Sequence, residues 1–126
     1  MRRAEFGFAG TDLRRRLVEA ILRGEKTATA GLLEEHEQDG EAVPEVGERQ
    51  LLVDEHDAEV GVIETTEVRI IPIREVDLPF AVDEGEGFET VAEWRVAHER
   101  FWTSYWGPVD DDTLIVAERF RLVERF

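Results

Sequence analysis

The sequence predicts a small α+β fold built around an antiparallel or mixed sheet, open or curled into a barrel, with flanking helices. Three observations carry this. Apolar residues recur at helical spacing near the N-terminus and again over residues 90–106. Four or five alternating or β-branched runs read as strands, in meander order. No internal repeat or Pro/Gly/Ser linker divides the chain.

The first helix is read over "TDLRRRLVEAILRG". Thr11 or Asp12 caps its start, Leu13, Leu17 and Ile21 recur at i+4, Val18 and Leu22 widen the stripe, and Gly24 suits the stop. "KTATAGL" follows with the period of a strand, Thr27 and Thr29 alternating with Ala28 and Ala30. "LLEEHEQDGE" is polar and reads as a short helix or loop, and "VPEVGER" as a turn into the strand "QLLVD". "EHDAE" makes a hairpin into "VGVIETTEVRIIPI", where Pro72 marks a strand end or a sheet edge. A helical turn near Phe80 to Asp83 precedes the helix "TVAEWRVAHERFWTSYWG", whose Val91, Trp94, His98, Phe101, Trp102 and Tyr105 share one face. "DDDTLIVAERFRLVERF" closes the chain as a strand.

A length of 126 residues suits one domain, residues 1–126, with one core and one site. With no cysteine, neither a disulfide nor a thiolate metal site holds the fold, and a cytoplasmic setting is expected. No segment has the length of a signal peptide's apolar stretch or of a membrane span, so a membrane partner is not expected. The net charge of −15 repels polyanions at long range and argues against long duplex DNA as a partner.

Within this composition Lys26 is the single lysine among fifteen basic residues. "GEKT" is not a phosphate-binding loop, because that motif runs strand, loop, helix and the order here is helix, glycine, strand. His36, His56 and His98 fall in different elements without metal-ligand spacing. "DEGEG" offers Asp83, Glu84 and Glu86 as oxygen ligands but lacks the remaining positions of a calcium loop, so no metal or other cofactor is expected. Lys26, Thr27, Thr29 and Glu84 form a more specific set. A threonine hydroxyl becomes a nucleophile when a base takes its proton, a desolvated lysine can be that base, and a carboxyl group can return a proton to a leaving amine. The plainer reading makes the threonines ordinary strand residues and Lys26 a cap on helix carbonyls. On the late helix, Trp94, Trp102, Tyr105 and Trp106 offer ring faces to a base, with Arg95 or His98 bonding its edge, or else they pack the core.

Together these segments resemble the ASCH family, small domains related to the PUA fold. The resemblance rests on Gly24, Lys26, Thr27 and Thr29 of the turn and strand, on "VPEVGER", on "FAVDEGEGFETVAEWRVAHERFW" and on the closing "VAERFRLVERF". It implies a PUA-like β-barrel with a cleft that receives RNA or a modified nucleoside. A shorter bacterial branch similar in motif comprises amidohydrolases that deacetylate N4-acetylcytidine with a lysine, a threonine and a glutamate, which fall here on Lys26, Thr29 and Glu84. Members of the longer branch, to which this chain looks closer, are described as ribonucleases or RNA-binding regulators. Where the amidohydrolase pattern has a basic residue after the strand, Gly31 stands here.

The resulting expectation is a domain that binds a nucleoside or a short RNA and hydrolyses an exocyclic amide. Thr29 is the nucleophile, Lys26 the base and Glu84 the acid. Gly24, Thr27, Glu86, Trp94, Arg95, His98 and Tyr105 are expected to shape or line the cleft. The alternatives are a noncatalytic RNA-binding module and a ribonuclease, the latter metal-assisted through Glu84 and Glu86.

Overall fold

In the computed structural model, which describes residues 1–126, five strands form one mixed sheet in the order β1-β3-β4-β5-β2. The strands are β1 (Arg3–Ala4), β2 (Ala28–Leu32), β3 (Arg49–Val53), β4 (Glu59–Pro72) and β5 (Leu114–Arg125). The helices are α1 (Asp12–Leu22), α2 (Leu33–Asp39), α3 (Leu78–Asp83) and α4 (Val91–Tyr105), with a 3-10 turn at Ile73–Glu75. No helix is long and apolar enough to cross a membrane.

Strands β3, β4 and β5 form the expected antiparallel meander, and β4 ends at Pro72. β2 departs from that order. It pairs antiparallel with β5 at the far edge, Thr29 lying opposite Glu118. β1, too short to leave a periodic signal, pairs parallel with β3 at the other edge. The α+β class and flanking helices are as expected, but β1 and β2 do not pair with each other, so the sheet stays open instead of closing into a barrel.

Local chemistry fixes the helix starts. The hydroxyl of Thr11 accepts from Arg14 N, the carboxylate of Asp77 from Phe80 N, and the hydroxyl of Thr90 from Glu93 N. Burial then follows strand alternation. Ala28, Leu32, Ile115 and Ala117 join Phe80, Trp94 and Trp102 in a core beneath α3 and α4. A second core joins Val18 and Ile21 of α1 to Phe6, Leu52, Ile63 and Phe120. The intervening residues Thr29, Gly31, Val116 and Glu118 face the other way, into a cleft.

Candidate functional site

The cleft has a volume of about 790 Å³. Its walls come from the segment through Phe6 and Phe8, from α1, from the sheet and from α4.

The end of α1 delivers Lys26. Gly24 takes a φ of +81°, and the N–H groups of Glu25 and Lys26 both donate to Ala20 O, at 2.9 and 3.1 Å, so the helix stops and the chain swings into β2. The Lys26 side chain points inward and is 1 % exposed. Its Nζ donates to the carbonyl oxygens of Ala28 at 2.8 Å and Glu84 at 3.2 Å, and lies 3.6 Å from Glu84 Oε1. These three acceptors match the three hydrogens of an ammonium group.

The loop after α3 supplies Glu84, and backbone contact welds it to the lysine turn. Thr27 N donates to Asp83 O at 2.7 Å. Gly85, at φ +71°, sits so close that a Cβ there would lie 2.6 Å from Glu25 O and from Lys26 N and Cα. Glu84 is 1 % exposed and accepts from the indole N–H of Trp94 and from His98 Nε2, the latter at 3.3 Å to Oε1 and 3.2 Å to Oε2. Burial would push its carboxyl up, but the Lys26 charge, His98 and the Trp94 donor outweigh it and hold the group below the ordinary range.

His98 stacks on Trp94, ring centroids 4.2 Å apart, and its Nδ1 lies 2.9 Å from Trp94 O. A carbonyl on one ring nitrogen and an ionised carboxylate on the other call for two N–H donors, which only the imidazolium has. The electrostatics agree. Burial disfavours the charge, but the bond to Glu84, its charge and the Trp94 carbonyl raise the His98 pKa overall.

Ligand atoms of Glu84, Glu86 and His98 lie within 4.8 Å of one another, an arrangement able to offer three donors to a cation. The Glu84 oxygens already accept from protein donors, which a divalent ion would have to displace. Glu86 is open on its outer side, yet the cleft wall desolvates its carboxyl enough to raise its pKa, and the neighbouring Glu84 charge adds to that.

Lys26, Thr29, Glu84, Glu86, His98 and Tyr105 all line the cleft. Thr29 is half-buried, and its hydroxyl makes no hydrogen bond to Lys26. Gly24, Thr27, Trp94 and Arg95 lie outside the lining. Gly24 and Thr27 build the turn. Trp94 is fully buried and offers Glu84 its N–H, leaving no ring face to a ligand. Arg95 is turned to Glu99 and Asp111. Trp102 is buried as well, and Trp106 reaches Glu34 outside the cleft. The aromatic surface open to the cleft comes from Phe8, 49 % exposed and edge-on to Tyr105 at 5.0 Å between centroids. The Tyr105 hydroxyl donates to Glu35 Oε1 at 2.7 Å, and burial together with this bond pushes its pKa up.

Among the lining residues that sequence reasoning missed are Glu118, His36 and Arg14. Glu118, opposite Thr29, is 7 % exposed and accepts from Thr65 Oγ1 at 2.7 Å. Burial raises its pKa, and the Thr65 bond only partly offsets this. The one signal was an acid placed directly after the apolar run Leu114–Ala117. His36 fills the space over Gly31, its Nε2 3.6 Å from where a Cβ would stand, so an imidazole occupies the place where the resemblance has a basic side chain. Arg14 is 2 % exposed, one helical turn before Val18 on the buried stripe of α1.

Comparison with known proteins agrees with this fold. The family model of the ASCH domain matches residues 4–124. The crystal structure of the ASCH domain from Lactobacillus crispatus JV V101 is 30 % identical, with a TM-score of 0.84 over 98 % of this chain and 79 % of that one. Protein EF3133 from Enterococcus faecalis V583, of the family model DUF984, is 28 % identical, with a TM-score of 0.87 over 99 % of this chain and 77 % of that one. The hypothetical protein PH0355 shares the fold at 13 % identity and a TM-score of 0.61, covering 88 % of this chain and 94 % of its own. No curated protein matches. Over nearly its whole length, with the PUA-like α+β architecture that its motifs implied, the chain belongs to the ASCH domain family.

Proposed function

We propose that the cleft binds a nucleoside or an RNA nucleotide and hydrolyses an acyl group from its exocyclic amine, N4-acetylcytidine being the substrate type. The observation that carries this reading is the buried Lys26–Glu84 pair, 3.6 Å apart, on the wall of the cleft that Thr29 also lines. Burial weakens the hold of water on both charges, so the pair can pass one proton from Nζ to the carboxylate and become an amine and an acid together. Thr29 Oγ then attacks the acyl carbon while Lys26 takes the hydroxyl proton. As the carbon–nitrogen bond breaks, Glu84 gives its proton to the departing amine. Water repeats the sequence on the threonine ester: Lys26 takes its proton, Glu84 protonates Thr29 Oγ, and the free acid leaves.

His98 and Trp94 act through Glu84 by orienting its carboxylate and steadying its charge. Phe8 and Tyr105 give the base an apolar wall.

The missing hydrogen bond between Thr29 and Lys26 favours a second reading, in which the cleft holds an RNA nucleotide without turning it over. One substitution separates the two. Arginine keeps the charge but cannot serve as a base near neutral pH. Under the first reading Lys26→Arg stops the release of cytidine from N4-acetylcytidine, followed by product mass, while binding persists. A wild-type rate in that variant removes Lys26 from the base role.

A further inference from the structure

Nearly every arginine of this acidic chain is neutralised by a neighbouring carboxylate. The three without an ion-pair partner within 4.0 Å are Arg14, Arg100 and Arg125. Arg125 is exposed near the end of β5, whereas Arg14 and Arg100 both line the cleft, Arg100 at an exposed position of α4.

Arg14 is the unusual one. Its guanidinium is buried, Nε donating to Phe6 O at 3.0 Å and Nη2 to Gly7 O at 3.1 Å, while Nη1 has no partner. Two neutral carbonyls satisfy geometry but not charge, and a buried cation lacking a counter-ion is among the least favourable arrangements in a folded protein. Such a group is compensated when a ligand brings the missing negative charge. The planar fork of a guanidinium matches the oxygens of a phosphate, which accept two of its hydrogens side by side.

Phe6 relates Arg14 to the reacting groups. The Phe6 carbonyl receives Arg14 Nε, and the Phe6 ring centre is 5.9 Å from Lys26 Nζ. Arg14 and the Lys26–Glu84 pair thus line one cleft and both contact Phe6 or its neighbour across it, an arrangement in which a nucleoside with its base at the pair can turn a phosphate toward the arginine.

From this we infer that Arg14 is an anion anchor, assisted by Arg100 at the rim, and that the cleft takes a phosphate-bearing nucleotide in preference to a neutral nucleoside. The inference rests on the nucleoside reading above for its choice of ligand, but the anchor itself rests on Arg14. Of the other basic groups lining this space, Arg2 and Arg3 are paired with Glu48 and Asp57 and His98 with Glu84, and neither His36 nor Lys26 is free in the same sense. His36 Nδ1 lies 3.3 Å from Glu41 O, and the hydrogens of Lys26 are all committed.

The test is calorimetric titration of the whole chain with cytidine, cytidine 5′-monophosphate, the dinucleotide CpC and inorganic phosphate. The anchor predicts that the monophosphate or the dinucleotide binds about tenfold or more tightly than cytidine, the size of a charge-assisted hydrogen bond. A gain for the monophosphate only assigns a terminal phosphate, and a gain for CpC an internal one. Arg14→Gln should remove that preference and Arg14→Lys restore part of it. A purely structural role would instead lower all affinities together. If Arg14→Gln fails to fold, the Nε–Hε resonance of Arg14 in the wild-type protein supplies the answer, moving with phosphate-bearing ligands and not with cytidine. Equal affinity for cytidine, its monophosphate and CpC overturns the anchor and leaves the nucleoside reading intact. Arg14-dependent binding of phosphate without binding of any nucleoside or nucleotide keeps the anchor and overturns the nucleoside reading. No response to any of the four overturns both.

Discussion

Gly85 lies against the backbone of Lys26 so closely that a Cβ would come within 2.6 Å of its N and Cα atoms. This contact joins the two halves of the site, which are far apart in sequence. The residue also holds a φ of +71°, which a side chain resists. Gly85→Ala is therefore expected to cost about 2–4 kcal/mol in chemical denaturation, combining backbone strain with displacement of unyielding main-chain atoms. Gly87, at φ +84° with open space around it, separates the two causes. Gly87→Ala should cost only the strain part, and equal costs at both positions would show that the close approach is not a constraint.

The Lys26–Glu84 pair predicts a strongly unequal mutant series. Lys26→Met leaves the Glu84 carboxylate buried beside His98 and Trp94 without its main counter-charge, and removing one partner of a buried pair costs about 3–5 kcal/mol. Adding Glu84→Gln to Lys26→Met should recover much of that loss, because the amide needs no counter-charge. Urea denaturation of the two single variants and the double variant reads the coupling directly, and strict additivity would contradict it.

The pH dependence of stability follows from the directions of the shifts. His98 is raised above its ordinary value of 6.5, so its contribution is full below that value and is lost as the pH climbs through the raised one. Glu84 is lowered below 4.5, so its contribution is present above that value and is lost as the pH falls through the lowered one. These two groups together favour the range between 4.5 and 6.5. Thermal melts of wild type and His98→Asn across the pH range test the upper limit. The gap between the two proteins should narrow above pH 6.5, and a gap that widens there would reverse the assignment.

Glu118 carries the opposite sign from Glu84. A carboxyl raised by burial costs stability once the unfolded chain ionises, from pH 4.5 upward. Glu118→Gln keeps an acceptor for Thr65 and removes the buried charge. At pH 7 it should stabilise the fold, and the gain should vanish near pH 4, where both folded and unfolded chains hold the carboxyl protonated. Loss of stability at pH 7 would mean that the ionised form is the one the fold holds.

Much of the fold was legible because its elements are periodic and locally capped. Thr11 starts α1, Gly24 ends it, and the β-branched run of β4 stops at Pro72, all as the residues imply. Strand neighbours were not legible to the same degree. β2 lies beside β5, a long-range pairing that leaves no local period. Lys26, Thr29 and Glu84 stand out as residue types suited to one reaction, and the approach of Glu84 to Lys26 depends on Gly85, whose backbone role a sequence pattern does not display. Arg14 and Glu118 escaped because a charged residue on an amphipathic element reads as solvent-facing. Only the folded chain turns these two inward to the cleft wall.

The central claim, that the Lys26–Glu84 pair activates the hydroxyl of Thr29 toward an acyl group, is tested most directly by the initial rate of N4-acetylcytidine hydrolysis in Thr29→Ala beside wild type. The account predicts release of cytidine and acetate by the wild type and a loss of roughly a thousandfold or more in the variant, the scale on which enzymes lose turnover with their nucleophile. Hydrolysis by Thr29→Ala at the wild-type rate would contradict it, as would a wild-type protein that binds the nucleoside and releases nothing.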